Sequence, residues 1–215
     1  VPAIPVLFHD LIEETARAAR TSEYVDQSSG VSARLTIAAL EALHANVLQR
    51  GLRHGEKAPR ARMVDLAACL AAMTGKIELA YEGEQEGPLK VGWHVLAEGI
   101  KRVWGDTFPA VIEDEKDERN AGPWKQVLKW FASGNTVDLS DRMPTAEYIA
   151  ALKKVPELET LAVRYAKPAP ADVPLWMEYI LEGLFAGGVI ARTQTDRGLV
   201  YSDLLAHLMT GKGKA

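Results

Sequence analysis

Apolar residues recur at a spacing of three to four along most of this chain, and near the C-terminal end the spacing changes. A three-to-four spacing places apolar side chains on one face of a helix. Residues 189–193 and 198–201 alternate instead and flank a Thr-Asp-Arg-Gly turn, which predicts a β-hairpin at 189–201. The pattern predicts a mainly α fold and lacks the repeated strand–helix units of a parallel nucleotide-binding sheet.

The periodic segments predict eight helices, and glycine and proline mark several of their ends. Gly51 is expected to end the second helix and Pro88 to open the fourth. Residues 77–81 alternate and are compatible with a short strand. The predicted helices span residues 6–21, 32–50, 63–74, 88–104, 124–131, 145–155 with its continuation 158–166 after Pro156, 173–187 and 202–209.

Two of these helices carry side chains whose direction follows from the pattern. In the second helix, Ile37 and Leu48 are expected to join a wide apolar stripe facing the core. In helix 173–187, Glu178 and Glu182 lie opposite the apolar side chains. Two carboxylates four residues apart on a helix repel each other, so we expect this pair to face solvent.

Charge and cysteine content restrict the class of protein. The formal net charge of -4 disfavours a general nucleic-acid binder. Acidic residues concentrate at 78–86 and 113–118, which predicts solvated loops or a surface for a basic partner. The single cysteine, Cys69, lies in an apolar run and is expected to be a small buried side chain. Cytoplasmic localisation is compatible with this cysteine content, and no run is apolar enough to predict a membrane span.

Residues 28–34, Ser-Ser-Gly-Val-Ser-Ala-Arg, stand at the predicted start of the second helix. A helix N-terminus gathers N–H groups without intrahelical acceptors and the positive end of the helix dipole. Arg34 adds a fixed positive charge, and the combination suits a bound phosphate. The chain has no phosphate-binding glycine loop with its lysine, so the pattern favours sensing a nucleotide over hydrolysing one.

The motif Gly30-Val31-Ser32-Ala33-Arg34, with the helices around it, resembles the helical lid of AAA+ ATPases in the magnesium-chelatase and MoxR-like group. That lid carries a sensor-2 motif of the form Gly-x-Ser-x-Arg at the start of a helix. The stretches 78–84 and 178–184 are also similar to a magnesium-chelatase-like bacterial branch. The family's lysine, Walker acid and arginine finger have no counterparts here.

The resemblance implies a non-catalytic C-terminal portion of an AAA+ ATPase. Residues 1–105 would form the lid-like helical domain, and residues 106–215 a helical module ending in the hairpin. Arg34, with Gly30 and Ser32, would sense the γ-phosphate of ATP, which an upstream core would hold with Mg²⁺. The partners implied are that core, neighbouring subunits and a client protein. No catalytic residue and no cofactor are assigned to this chain alone.

Other interpretations remain open at the level of sequence. Arg34 is compatible with a surface ion pair to Glu41 or Asp26. The helix and hairpin near the C-terminus resemble the end of a winged-helix module, which favours a free-standing interaction or regulatory protein. In a DNA-binding version, Arg192 and Arg197 would contact phosphates. His94 precedes Glu98 by four residues, but no set of four spaced ligands predicts a metal site.

Overall fold

The computed structural model describes residues 1–28, 30–111 and 122–209. The fold is mainly helical and includes one small antiparallel sheet of three strands. The chain divides into two compact units, Val1–Val103 and Trp104–Ala215. Within the described ranges, every helix is too short or too polar to cross a lipid bilayer.

In unit 1, Val1–Val103, the regular elements formed by the described residues are all helices. Its side chains form a core in which Phe8, Leu11, Leu35, Leu43 and Val95 are fully buried. A short 3-10 turn, Met63–Asp65, precedes the third helix. The helices are α1 (Val6–Arg20), α2 (Leu35–His54), α3 (Leu66–Thr74), α4 (Tyr81–Glu86) and α5 (Pro88–Trp104), the last of which ends where unit 2 begins.

The described residues of unit 2 form the sheet and five further α-helices. Its core is a cluster of stacked and tilted aromatic rings around Trp104, Phe108, Trp124 and Tyr179. The sheet has the order β1-β3-β2, and both pairings are antiparallel. The elements are α6 (Lys125–Ala132), β1 (Val137–Leu139), α7 (Thr145–Leu152), α8 (Leu158–Ala166), α9 (Val173–Ala186), β2 (Ile190–Thr195), β3 (Gly198–Asp203) and α10 (Leu204–Met209).

Helix α2 differs from its prediction at both ends. It begins at Leu35 rather than at residue 32, since the N-terminal i→i−4 hydrogen bond runs from the Ala38 N–H to the Arg34 carbonyl at 2.9 Å. It also continues through Gly51 to His54 and ends at Gly55, which adopts a left-handed φ of 65°. The prediction that Gly51 ends the helix was therefore wrong. A side chain there has no room, since an added Cβ would lie 2.6 Å from Cγ of Pro59.

Two further local features differ from what the sequence indicates. Residues 77–81 do not form a strand: Ile77 and Leu79 make isolated bridges to the chain before α2, and Tyr81 begins α4. Strand β1 was not predicted, because its three residues pair with β3 some sixty positions later in the chain. The hairpin prediction was confirmed, with Thr195 paired to Gly198 around the turn.

The apolar stripe predicted for α2 is narrower than expected. Leu35, Leu43 and Val47 are fully buried, as the pattern predicts. Ile37 and Leu48 instead face outward, with 57% and 45% of their surfaces exposed. Leu52 is exposed to 76% on the same side of the helix. The outward face of α2 therefore carries a row of aliphatic side chains.

Candidate functional site

The chain leading into α2 is held by a distant segment, residues 76–80. The Asp26 N–H donates to the Glu78 carbonyl at 2.9 Å, and the Ser32 N–H donates to the Lys76 carbonyl at 3.0 Å. In the opposite direction, the Ala80 N–H donates to the Tyr24 carbonyl at 3.0 Å. We call residues 24–26 and 30–34 the two arms of the Arg34 loop. Both arms pair with the same short segment.

Gly30, Ser32 and Arg34 lie together at the start of α2, as the motif predicts. Gly30 has a φ of 73°, which glycine adopts at no steric cost, and its N–H donates to the Asp26 carbonyl at 2.7 Å. Ser32 Oγ accepts a hydrogen bond from the Arg34 N–H at 3.2 Å, and the Ser32 carbonyl accepts one from the Leu35 N–H at 3.0 Å. Ser32 thus satisfies two backbone donors at the helix entry.

Arg34 is the N-cap residue of α2, and its side chain is exposed. Its side chain makes no ion pair with any residue that the structure describes, including Glu41 and Asp26. The Asp26 carboxylate accepts hydrogen bonds from the backbone and hydroxyl of Ser28, at 2.8 and 2.7 Å. The surface ion pair considered for Arg34 is therefore not formed in the described part of the chain.

A buried ionic cluster connects α2 to the turn before α3. Arg50 and Asp65 form an ion pair in which both side chains are almost fully buried. Asp65 also accepts from Asn46 Nδ2 and from the Arg62 N–H, both at 2.8 Å. Burial raises the pKa of the Asp65 carboxyl, and the Arg50 guanidinium opposes that shift. The cluster is structural: it fixes α2 against the segment that follows it.

Cys69 lies in the core of unit 1, as its apolar run predicts. Its surface is 1% exposed, and its thiol donates to the Ala39 carbonyl at 3.3 Å. Burial, together with the charge of Asp65, raises the pKa of the Cys69 thiol to about 12. A thiol that stays protonated at neutral pH is a poor nucleophile, so Cys69 has the character of a core residue.

In unit 2, Glu178 and Glu182 are buried, which contradicts the prediction that they face solvent. Only 0% and 2% of their surfaces are exposed. The Tyr148 hydroxyl of α7 donates to Glu178 Oε2 at 2.7 Å, and the Tyr201 hydroxyl of β3 donates to Glu182 Oε1 at 2.5 Å. Glu178 and Glu182 can face the interior because Tyr148 and Tyr201, from distant segments, donate hydrogen bonds to their carboxylates.

The structure separates the two arginines that were considered for phosphate contact. The Arg192 side chain is 6% exposed and forms an ion pair with Glu182, with 2.5 Å between Nη1 and Oε2. Its guanidinium lies 4.1 Å from the centre of the Phe185 ring. Arg197 lies exposed in the hairpin turn. Arg192 and Tyr201 are cross-strand neighbours, so both side chains reach the same carboxylate of α9. Of the two arginines, Arg197 is therefore the one that remains exposed for contact with phosphates.

The remaining candidates have simpler positions. His94 is exposed and packs edge-on against Tyr24, with ring centres 5.1 Å apart. Across the ranges 1–28, 30–111 and 122–209, no three His, Cys, Asp or Glu side chains converge as a metal site would require. Glu78, Glu82 and Glu84 are exposed, whereas the second acidic stretch, 113–118, lies outside the described residues.

Comparison with known proteins adds no relative to this picture. No protein-family model, no curated protein and no solved structure matches the chain.

Proposed function

We propose that this chain is the non-catalytic C-terminal portion of a magnesium-chelatase-like AAA+ ATPase, in which Arg34 senses the γ-phosphate of ATP. The motif that carries the resemblance, Gly30-Val31-Ser32-Ala33-Arg34, leads directly into α2, and α1 ends with Arg17 and Arg20 before it. Unit 1 supplies the lid-like helices, and unit 2 is the accessory module that meets a client or partner protein.

The exposed position of Arg34 carries this proposal. A sensor must present its charge to a ligand held by another domain, and the Arg34 side chain has no ion-pair partner among the described residues. In the first turn that follows it, the Leu35 N–H already donates to the Ser32 carbonyl, which leaves the N–H groups of Thr36 and Ile37 without intrahelical acceptors. The Arg34 guanidinium and the positive end of the helix dipole thus lie together at the N-terminal end of a 20-residue helix.

The outward face of α2 also supports a docking domain beside Arg34. Ile37, Leu48 and Leu52 lie three, fourteen and eighteen positions after Arg34, which places all four on one side of a helix of 3.6 residues per turn. Exposed aliphatic rows of this kind are commonly covered by another surface. An ATP-holding core that brought a phosphate to Arg34 would cover this row.

In this proposal the chain contributes charge rather than chemistry. The upstream core holds ATP and Mg²⁺ and performs hydrolysis, and neighbouring subunits complete the ring. The Arg34 guanidinium stabilises negative charge on the γ-phosphate, as arginines do in other phosphoryl transfers. When the γ-phosphate leaves, that contact is lost, and the lid changes its position against the core.

The test is the Arg34→Ala variant of the full-length ATPase to which we assign this chain. Removing one preorganised donor from a charge-stabilising site costs about 10²- to 10³-fold in kcat, and we expect a loss of that order in steady-state ATP hydrolysis. Arg53→Ala is the matched control, since Arg53 is exposed in the last turn of the same helix. Unchanged turnover in Arg34→Ala would refute the sensing role.

A second function is favoured by the sheet of unit 2. A three-stranded antiparallel sheet that ends in a hairpin and follows several helices is consistent with a winged-helix module. Such a module could act as a free-standing interaction or regulatory protein without ATP. The reading frame upstream of Val1 distinguishes the two: a glycine-loop ATPase core encoded there supports the first function, and a start codon immediately before Val1 supports the second.

A further inference from the structure

The Arg34 loop takes its position from a segment that lies far from it in sequence. Its first arm pairs with residues 78–80 through Asp26 and Tyr24, and its second arm pairs with Lys76 through Ser32. Antiparallel bridges join Val25 to Leu79 in the first arm and Val31 to Ile77 in the second. A displacement of the segment before α4 would therefore move both arms.

The closest contact in this arrangement is at Gly83 in α4. Gly83 is buried against the Tyr24 carbonyl, and a Cβ added to it would lie 2.2 Å from the Tyr24 oxygen and 3.1 Å from the carbonyl carbon. The same oxygen accepts the Ala80 N–H at 3.0 Å. The Tyr24 carbonyl therefore packs directly against the backbone of α4, which is possible only because residue 83 has no side chain.

We infer that Gly83 and Ala80 are positioning residues for Arg34. The Ala80 N–H and the side-chain-free position of Gly83 hold the Tyr24 carbonyl in place. The hydrogen bonds from the Asp26 and Ser32 N–H groups to the 76–80 segment then fix the rest of the loop up to the start of α2. The inference rests on the proposed function for the meaning of Arg34, but the geometric claim is testable without ATP. Neither residue touches nucleotide, and both act through the placement of the loop.

The first measurement is amide hydrogen exchange in this chain with Gly83→Ala. The new methyl group must displace the Tyr24 carbonyl, so we expect the Asp26 and Ser32 amides to exchange about tenfold faster, the equivalent of one weakened hydrogen bond. Gly75→Ala is the matched control, because nothing lies within 4 Å of a Cβ added there. Slow reaction of the buried Cys69 thiol with a thiol reagent shows that the core of unit 1 remains folded.

A second variant keeps the test decisive if Gly83→Ala does not fold. Ala80 has φ −71° and ψ 170°, values that proline adopts, and Ala80→Pro deletes the N–H that holds the Tyr24 carbonyl without adding bulk at Gly83. We expect the same acceleration at Asp26 and Ser32. Unchanged exchange at both amides in a folded variant, or equal acceleration in Gly75→Ala, would overturn the inference.

The second measurement is ATP hydrolysis by the full-length ATPase. We expect Gly83→Ala to lower kcat/KM for ATP at least about tenfold, because it displaces the arginine that contacts the γ-phosphate. Gly75→Ala should match the parent protein. Normal turnover in Gly83→Ala beside lost turnover in Arg34→Ala would overturn the positioning role, whereas normal turnover in Arg34→Ala would overturn the proposed function itself.

Discussion

Several charged side chains in this protein are buried, and the groups that bind them come from distant parts of the sequence. Glu182 on α9 holds Arg192 of β2 and Tyr201 of β3 at once. Burial and the neighbouring Glu182 carboxylate raise the pKa of the Tyr201 hydroxyl well above its usual value, so Tyr201 remains a hydrogen-bond donor at all ordinary pH values. One carboxylate therefore fastens both strands of the hairpin to the helix.

The charge balance at Glu182 predicts a large effect of removing Arg192. Arg192→Met keeps much of the side-chain volume but leaves a buried carboxylate without its cation. Breaking a buried ion pair in this way costs about 3–5 kcal/mol in the free energy of unfolding. Urea unfolding followed by tryptophan fluorescence measures it, since every tryptophan except Trp93 lies in unit 2.

The matched control for that substitution is Arg197→Met in the exposed hairpin turn. A surface change of this kind is expected to alter the free energy of unfolding by no more than about 0.5 kcal/mol. Equal unfolding midpoints for the two variants would show that the Glu182 carboxylate does not depend on Arg192.

The same residues show why burial was assigned wrongly from sequence. In helix 173–187, glutamates opposite an apolar stripe have the pattern of a surface helix, and only the fold reveals that Tyr148, Arg192 and Tyr201 surround them. Arg50 and Asp65 were missed for the same reason. A charge inside an apolar periodic segment is a usable signal, but its partner cannot be found without the tertiary structure.

At the scale of elements, local signals predicted most helices and failed where tertiary contacts override them. Helices α1, α5 and α9 follow the predicted ranges closely, because periodicity and end signals agree in each. The sequence predicts that Gly51 ends the helix, yet the helix continues past it, and the Pro59 ring occupies the space that a side chain at position 51 would need. Strand β1 carries no local signal strong enough to distinguish three residues from a loop.

Gly51 gives a prediction at this scale in which two effects oppose each other. Alanine is better than glycine inside a helix by roughly 1 kcal/mol, but its Cβ would lie 2.6 Å from a rigid proline ring, and such overpacking costs about 1–3 kcal/mol. We expect the clash to prevail and Gly51→Ala to lower the stability of unit 1 by about 1–2 kcal/mol. The urea dependence of Cys69 thiol reactivity measures this change.

Gly75→Ala is again the comparison, because it adds the same methyl group to open space at a φ of −75°. It should leave the stability of unit 1 unchanged or raise it slightly, by restricting the unfolded chain. Stabilisation by Gly51→Ala would mean that Pro59 yields to the new methyl group and that helix propensity decides the outcome.

At the scale of the whole molecule, the sequence predicted a mainly α fold and a late hairpin, and both were confirmed. The positions of Gly30, Ser32 and Arg34 at one helix entry were also predictable, since a short motif fixes them locally. Their support by residues 76–83 was not, because those hydrogen bonds join backbone groups and leave no side-chain pattern. The lid-like role of unit 1 and the partners of unit 2 stay predictions.

The formal net charge of -4 and the burial of Arg192 predict that the chain does not bind duplex DNA through its hairpin. Phosphate contacts require clustered exposed cations, and α9, which precedes the hairpin, is buried along most of its length. We expect no change in the fluorescence anisotropy of a labelled duplex at about 1 µM protein and about 50 mM salt, where phosphate attraction is strong. Saturable binding that weakens steeply towards about 200 mM salt, with a salt slope that Arg197→Ala reduces by about one, would contradict this prediction and favour the winged-helix function.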